Sequence, residues 1–179
     1  LVESFYGQDV ELILLVRDEE KAKNLYLGAQ DAPPITFIKA DMGDVPSLKE
    51  ALTPILNLEL DGFVHCAGVF DIQSLKRTTY NRFLKLMNVN LFSFAEILRL
   101  LVSAKPNDKR FRVVSMSSVD SFRGDKTNHM YCASKAAMDS FIRAIPLELN
   151  PMNVEINTVQ PSFVDTPMVD HLKLFHLDN

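Results

Sequence analysis

The chain has 179 residues, which is enough for one domain with a substantial hydrophobic core. Hydrophobic residues make up 47% and charged residues 23%, as in ordinary globular proteins, and a net charge of −4 gives no basic footprint for nucleic acid. The two cysteines form no disulfide framework and suit the reducing cytoplasm. No apolar run approaches the ~20 residues of a membrane helix. The four histidines show no metal-ligand spacing.

Short apolar runs alternate with helical patterns along the whole chain. In chain order we predict a helix end over 1–7, a strand over 10–16, a helix over 17–30, a strand over 35–40, a helix over 44–56, a strand over 63–66, a helix over 80–103, a strand over 111–115, a helix over 131–149, a strand over 154–159, a loop over 161–166 and a short amphipathic segment over 168–175. Gly7 is expected as a C-cap, Asp44 or Ser47 as an N-cap, and Pro146 as a kink or early helix end.

Five strands that alternate with helices predict an α/β fold with a parallel sheet and helices on both faces. Such sheets bind ligands beyond the carboxyl ends of their strands. Polar or small residues stand at all five of these ends: Arg17, Asp41, Ala67 with Gly68, Ser118, and Pro161. We therefore expect one domain over residues 1–179, with its site at this edge of the sheet.

Tyr131 and Lys135 are four residues apart at the start of a predicted helix, so they share a helix face. A phenol, with a pKa of about 10, exchanges its proton poorly at neutral pH, and a neighbouring cation lowers that pKa. The Ser118 hydroxyl, at the end of a strand, could hydrogen-bond a polarised carbonyl. These three groups could move a proton onto or off an oxygen, although a serine pair and this tyrosine-lysine spacing also occur by chance.

Further motifs follow in order along the chain. Ser118 precedes Tyr131 by thirteen residues, and Asn90 lies in the middle of the long predicted helix. Residues 65–68 read His-Cys-Ala-Gly, and residues 157–162 read Asn-Thr-Val-Gln-Pro-Ser. Together these motifs resemble the classical short-chain dehydrogenase/reductase family, and most closely its 3-oxoacyl-carrier-protein reductase type. In that family the two segments usually read Asn-Asn-Ala-Gly and Asn-x-Val-x-Pro-Gly.

The resemblance implies a Rossmann-like, doubly wound parallel sheet in three α/β/α layers, and a catalytic role for four residues. Tyr131 would be the acid/base, and Lys135 would lower its pKa and bind the nicotinamide ribose. Ser118 would hold the substrate oxygen. Asn90 would support a water that links Lys135 to solvent. The implied reaction is hydride transfer between NADP(H) or NAD(H) and a small-molecule carbonyl or alcohol.

The resemblance also implies residues that would contact the cofactor. These are Arg17, Asp41, Met42, Cys66, Ala67, Gly68, Tyr131, Lys135, Pro161, Ser162, Val164 and Thr166. Arg17 ends the first predicted strand, where relatives that prefer NAD carry an acid, and a guanidinium suits the 2′-phosphate of NADP. NADP is therefore expected. Asp18 opposes this preference, so NAD stays possible.

The sequence also departs from the family. Gly7 is the only glycine in the first 27 residues, so the glycine-rich pyrophosphate loop is not found, and the first predicted strand matches the second strand of the family. The last family strand and the substrate-covering helices are not found either. We expect a chain truncated at both ends. The alternative is a non-catalytic relative that acts as a binding or oligomerisation partner.

The two long helices, over 80–103 and 131–149, are apolar on nearly all sides. The resemblance implies that they pair with a second subunit in a homodimer or homotetramer; the alternative is that the rest of the chain covers them. We expect no nucleic-acid or membrane partner. Ser117 is expected to pack or cap, and Asn128 and His129 either face the substrate or belong to an exposed loop.

Overall fold

The computed structural model describes residues 1–106 and 108–164. In that part of the chain the predicted alternation of strands and helices is confirmed. The strands are β1 (Leu12–Val16), β2 (Ile35–Lys39), β3 (Gly62–His65), β4 (Phe111–Met116) and β5 (Val154–Val159). The α-helices are α1 (Glu19–Tyr26), α2 (Leu48–Leu52), α3 (Tyr80–Met87), α4 (Ser93–Ala104), α5 (His129–Ala144) and α6 (Pro146–Leu149).

All described strand pairs are parallel, but they form two hydrogen-bonded sets instead of one continuous sheet. One set pairs β1 with β2, and the other has the order β3-β4-β5. The expectation of a single sheet is corrected to this extent. A doubly wound sheet has the order 3-2-1-4-5-6, and the two sets supply its strands 3, 2, 4, 5 and 6. The physical reason for the split is that no described strand lies between β1 and β3 to hydrogen-bond both.

One hydrophobic core serves both sets of strands. Its fully buried members come from α2, α4, α5, β4 and β5 and include Leu52, Phe94, Val113 and Met138. Ile13, Leu15 and Ile38 of the two-stranded set pack against the same cluster. Burying apolar surface at about 25 cal/mol per Å² therefore holds the two sets together without a shared hydrogen-bond ladder.

Two short helices differ from their predictions in how they begin and end. Asp44 and Ser47 both lie at N-cap positions, as predicted, but neither side chain makes a capping hydrogen bond; the Ser47 hydroxyl instead donates to the Asp44 carbonyl at 2.8 Å. A 3-10 turn (Val45–Ser47) leads into α2, which ends at Leu52 because Pro54 lacks the N–H that would continue it. Residues 1–7 form a 3-10 turn (Val2–Phe5), with Gly7 at a positive φ of 72°.

The long predicted helix is continuous over Tyr80–Ala104, but one turn in its middle is a π-turn (Asn88–Phe92). By length and composition this run is long and apolar enough to cross a membrane, which corrects the expectation that no such run exists. More than half of its most apolar window is buried inside the fold. Burial of that kind is typical of a core helix.

The second long helix begins two residues earlier than predicted, at His129, and is interrupted at Pro146 as predicted. Proline has no N–H to donate and a fixed φ, so it is tolerated at the first position of a new helix and ends the one before it. The short α6 therefore begins at Pro146. This break separates α5 from the segment that leads into β5.

Candidate active site

Asn90 lies in the π-turn, at a point where the side chain of one helix reaches two neighbouring elements. Its Oδ1 accepts from the Val69 N–H at 2.8 Å, and its Nδ2 donates to the Val69 carbonyl at 3.0 Å and to Ser134 Oγ at 2.9 Å. The side chain is fully buried. π-turns often occur at functional sites, and this one directs Asn90 to the loop after β3 and to the inner face of α5.

Ser118 follows β4 in extended backbone, and its side chain is buried. Ser118 Oγ accepts a hydrogen bond from the Asp120 N–H at 3.1 Å. A hydroxyl has one donor and two acceptor positions, so this contact fixes the oxygen and leaves its proton free to donate. The turn after β4 thus presents a serine hydroxyl as a donor.

Tyr131 lies in the first turn of α5, half-buried, with the Phe70 ring packed edge-on at a centroid distance of 5.1 Å. Burial raises the pKa of the phenol above its ordinary value; a hydrogen bond with Ser118 opposes this rise, and the Asp120 carboxylate adds to it. The net shift is therefore upward in this structure, and the expectation that Lys135 lowers the Tyr131 pKa stays a prediction. Desolvation disfavours the phenolate more than the neighbouring groups favour it.

Lys135 is 4% exposed and donates to the Met116 carbonyl at 2.6 Å. Its ammonium lies over the Tyr131 ring, 5.6 Å from the ring centroid. Burial lowers the Lys135 pKa to about 8, against an opposing effect of the Asp139 carboxylate. The Met116 contact takes one of the three ammonium hydrogens, so the group can bind further acceptors.

Two more serines lie close to the Tyr131–Lys135 turn, Ser134 on α5 and Ser117 directly after β4. Ser134 Oγ donates to the Tyr131 carbonyl at 2.8 Å while it accepts from Asn90. Ser117 is buried, and its hydroxyl makes a long contact of 3.5 Å with the Lys135 carbonyl, so this residue mainly packs. Ser134 therefore links Asn90 to the helical turn that holds Tyr131, a role that the sequence pattern did not suggest.

The predicted cofactor residues lie at the carboxyl ends of the strands. At β3, Cys66, Ala67 and Gly68 follow the last strand residue, and a methyl group built on Gly68 would lie 3.8 Å from both Asn90 Oδ1 and Lys135 Nζ. At β5, the Pro161 carbonyl accepts from the Val119 N–H at 3.1 Å. The structure thus places the ends of β3 and β5 next to the catalytic candidates.

The remaining predicted cofactor residues lie farther out on the same edge. Ser162 and Val164 are exposed beyond β5, while Thr166 lies outside the described residues. Asp41, at the end of β2, is exposed and accepts from the Gly43 N–H at 2.8 Å. Met42 beside it packs partly against the core.

Arg17 and Asp18 follow β1, and the structure separates their roles. The Asp18 carboxylate accepts from the Lys21 N–H at 3.0 Å and so forms the N-cap of α1. Arg17 is exposed. Sequence alone left Asp18 as a competitor for a ribose hydroxyl, whereas the folded chain uses its carboxylate as a helix cap.

His65 is a residue whose position the sequence did not reveal. It is buried against the rings of Phe63 and Phe94, and its Nε2 lies 3.2 Å from Ser93 Oγ. Because Ser93 Oγ donates to the Val89 carbonyl at 2.8 Å, the Nε2 carries the hydrogen in this pair. Burial lowers the His65 pKa to about 4, and the Lys135 charge acts in the same direction.

Asn128 and His129 are held by hydrogen bonds. The alternative that they belong to an exposed loop did not predict these contacts. Asn128 is buried and its Nδ2 donates to Asp120 Oδ2 at 3.0 Å. His129 Nε2 lies 2.8 Å from Thr78 Oγ1. These contacts fix the start of α5, and with it Tyr131, against the turn after β4 and the segment before α3.

Within residues 1–106 and 108–164, no group of three or more His, Cys, Asp or Glu side chains is placed to hold a metal ion. Both cysteines, Cys66 and Cys132, are free thiols. The chemistry that the described residues offer is therefore that of a buried amine, a phenol and a hydroxyl, set around the carboxyl ends of β3, β4 and β5.

Comparison with known proteins gives a family match and many relatives. The sequence model of the family described as short chain dehydrogenase matches residues 1–175. The chain is 25% identical over 171 residues to acetoacetyl-CoA reductase of Acinetobacter sp. (strain RA3849), covering 93% of this chain and 68% of that protein. It is 30% identical over 165 residues to the NADP-dependent (R)-specific alcohol dehydrogenase of Lentilactobacillus kefiri, covering 87% and 62%.

Solved structures show the same fold. The bulky-bulky ketone specific alcohol dehydrogenase of Comamonas testosteroni superposes with a TM-score of 0.79 at 20% identity, over 89% of this chain and 66% of that one. A gluconate 5-dehydrogenase of Burkholderia cenocepacia, in complex with NADP and tartrate, gives 0.77 at 18% identity, over 90% and 64%. The chain thus spans about two thirds of the length of these proteins.

Proposed function

Because the chain belongs to the short-chain dehydrogenase family, we propose that it carries the catalytic centre of an oxidoreductase that interconverts a carbonyl and an alcohol with NADP(H). The observation that carries the proposal is the grouping of three side chains. The Ser118 hydroxyl, the Tyr131 phenol and the buried Lys135 ammonium meet beyond the end of β4. Each has a distinct use in moving a proton to an oxygen.

The Tyr131 phenol would be the proton donor in carbonyl reduction. Its raised pKa keeps it protonated at neutral pH, which is the form that a general acid needs. The Ser118 hydroxyl, whose oxygen is fixed by the Asp120 N–H, would donate a hydrogen bond to the same substrate oxygen. The two donors together would polarise a carbonyl and stabilise negative charge on its oxygen.

Lys135 would favour the loss of that proton. As negative charge develops on the phenol oxygen, the nearby ammonium stabilises it by Coulomb attraction. Below pH about 8 the amine is charged, so this effect is available at neutral pH. Asn90 and Ser134 would keep the Tyr131–Lys135 turn of α5 in place through their hydrogen bonds.

A nicotinamide cofactor would supply the hydride, and part of the chain fits it. Lys135 is buried beside Gly68 with ammonium hydrogens to offer to ribose hydroxyls, and Pro161, Ser162 and Val164 would flank the nicotinamide. Asp41 and Met42 would lie at the adenine end. No glycine-rich loop is among the described residues, so this chain shows no cradle for the pyrophosphate.

NADP is the proposed form of the cofactor, and the occupation of Asp18 as a helix cap supports it. The exposed Arg17 is then available for a 2′-phosphate. The Lentilactobacillus relative is NADP-dependent, and the Burkholderia structure holds NADP. The acidic first turn of α1, with Glu19 and Glu20, acts against a phosphate, so NAD(H) is the alternative to be measured alongside.

The substrate would be a small-molecule ketone or its alcohol. The named relatives act on substrates as different as acetoacetyl-CoA and bulky ketones, so the family does not fix the choice. Phe70, packed edge-on against Tyr131, gives the site an apolar side. We propose an uncharged carbonyl flanked by an apolar group, with the 3-oxoacyl type as the nearest class.

A homodimer or homotetramer through the helices of residues 80–103 and 131–149 is part of the proposal. Tyr80, Phe92 and, just beyond α5, Leu147 are exposed and support it. Most other large apolar residues of α4, such as Ile97 and Leu101, are covered within the chain, so the face left for a partner is small. A cytoplasmic location is proposed from the two free thiols.

The test is a Tyr131→Phe variant, made in the protein at its full encoded length. We expect turnover to fall at least about 10³-fold, because the proton donor is lost, while NADPH binding measured by calorimetry stays within about threefold of the wild type. The assay follows consumption of NADPH and, separately, of NADH across a panel of ketones.

Tyr80→Phe is the matched control, because Tyr80 is exposed on the first turn of α3, and it should keep wild-type turnover. Near-normal turnover in Tyr131→Phe would remove Tyr131 from its proposed role. If the wild-type protein itself neither binds a nicotinamide cofactor nor turns over any ketone, the non-catalytic alternative replaces the enzyme.

A further inference from the structure

Asp139 is a buried acid that neither the sequence motifs nor the proposed reaction uses. It lies one helical turn after Lys135 on the inner face of α5 and is 6% exposed. Its Oδ2 accepts a short hydrogen bond of 2.6 Å from Gln160 Nε2. Its Oδ1 is also buried and makes no hydrogen bond with the described residues.

Gln160 connects this carboxylate to the catalytic turn. It lies directly after β5, and its amide nitrogen is also 3.3 Å from Ser121 Oγ. The next residue, Pro161, accepts from the Val119 N–H. Through Asp139 and Gln160, therefore, α5 and the end of β5 are joined to the turn that presents Ser118.

A buried carboxylate is costly unless an opposite charge or enough hydrogen bonds compensate it. Lys135 lies four residues before Asp139 on the same face of α5 and is itself almost fully buried, so its ammonium is a cation on which the Asp139 carboxylate can act. The other titratable groups that face Lys135 are Tyr131 on α5 and Cys66 and His65 at the end of β3. None of these three is anionic at neutral pH, so Asp139 is the acid on this face of α5 that can offset the Lys135 charge.

We propose that Asp139 is a positioning residue of the active site: its carboxylate holds Gln160 beside the Ser118 turn and keeps the neighbouring Lys135 amine in its charged form. The role of Lys135 in the reaction rests on the proposed function, whereas the hydrogen bond between Asp139 and Gln160 does not. Without the carboxylate, burial would act on the lysine unopposed.

The test is Asp139→Asn, which keeps the size of the side chain and an oxygen that can accept from Gln160 but removes the charge. The midpoint of Lys135 deprotonation is followed by the 13Cε resonance of labelled lysine, assigned with Lys135→Arg. We expect the midpoint to move to lower pH by about one unit. If the protein is active, the basic limb of kcat/KM should move in the same direction.

Glu148→Gln is the matched control, because it removes an exposed carboxylate just beyond α5, and it should leave the midpoint unchanged. Asp139→Glu, which keeps the charge, should return the midpoint most of the way to its wild-type value. Asp139→Ser serves as a second neutral variant in case Asp139→Asn does not fold. An unchanged midpoint in a folded neutral variant would overturn the proposal, whereas a shift in a protein without turnover would uphold it and reject only the proposed function.

Discussion

At the scale of single residues, burial outweighs charge at the candidate site. The sequence places Tyr131 and Lys135 on one helix face, and from that spacing we expect a lowered phenol pKa. In the fold, desolvation raises the Tyr131 pKa and lowers the Lys135 pKa to about 8. Both groups are pushed toward their neutral forms. The phenol therefore keeps its proton at neutral pH, and because a raised pKa makes it a weaker acid, proton donation depends on the positive charge of Lys135.

His65 gives a prediction about acid stability. Its pKa is about 4 in the folded chain and about 6.5 when unfolded. Between these values the unfolded chain binds a proton that the folded chain does not. The contribution of the neutral, buried His65 to the free energy of unfolding is therefore complete above pH 6.5 and is lost as the pH falls toward 4. From pH 7 to pH 5 the expected loss in free energy of unfolding is about 2 kcal/mol.

The measurement is urea unfolding at a series of pH values, for the wild type and for His65→Asn. The variant should lose most of this pH dependence even if it is less stable at pH 7. His129→Asn is the control, because His129 is half-buried and bonded to Thr78, and it should keep the slope. Equal slopes in the wild type and His65→Asn would show that His65 is not the group that titrates.

At the scale of elements, the π-turn is what joins the long helix to the site. The π-turn holds one more residue than a regular helical turn, so it changes the directions of the side chains that follow it relative to those that precede it. In a regular α-helix Asn90 would therefore point away from either Val69 or Ser134. Ser93, buried just after the turn, bonds the Val89 carbonyl and His65. The turn is therefore held from both sides, by β3 through His65 and by α5 through Ser134.

Asn90→Ala is expected to destabilise the protein by about 3 kcal/mol, because it removes three hydrogen bonds, two to the Val69 backbone and one to the Ser134 hydroxyl, worth about 1 kcal/mol each. Asn88→Ala, in the same turn, removes one half-buried hydrogen bond to the Gly43 carbonyl and should cost about 1 kcal/mol. Chemical denaturation of both variants measures the difference. Equal losses would contradict a special role for Asn90 in holding the turn.

At the scale of the whole molecule, the candidate site lies at the carboxyl ends of the strands of both sets, which share one hydrophobic core. At the carboxyl ends of β3 and β4, Gly68 lies beside Lys135 and the Met116 carbonyl accepts from its ammonium, while Pro161 after β5 bonds Val119 in the turn that presents Ser118. The ends of β1 and β2 bear Arg17 and Asp41 on the separate two-stranded set. The nicotinamide end of the proposed site is thus built by one set of strands and the adenine end by the other.

The polypeptide of residues 1–179 is expected to bind NADPH weakly, with a dissociation constant of about 1 mM or more. A pyrophosphate is held best by free N–H groups at a helix N-terminus. Here the N-terminus of α1 is capped by Asp18 and followed by Glu19 and Glu20, which repel phosphate. Isothermal calorimetry with NADPH measures the affinity. Micromolar binding would show that the described residues hold the phosphates after all.

The sequence by itself determined the order and type of the elements, because apolar periodicity and proline are local signals. It thus predicted the five strands, the break at Pro146, and the places of Ser118, Tyr131 and Lys135 at strand and helix ends. It did not determine the roles of Asp139, His65 or Ser134. Their partners, Gln160, Ser93 and Asn90, lie 21, 28 and 44 residues away along the chain.

Only the tertiary structure decided those pairings, since a contact between distant residues depends on how helices pack on the strands. It also decided the protonation of the site. Spacing shows that a tyrosine and a lysine share a helix face, but not how deeply the face is buried or which carbonyl takes the ammonium. Burial and the Met116 contact set the state of Lys135, and burial is a property of the whole fold.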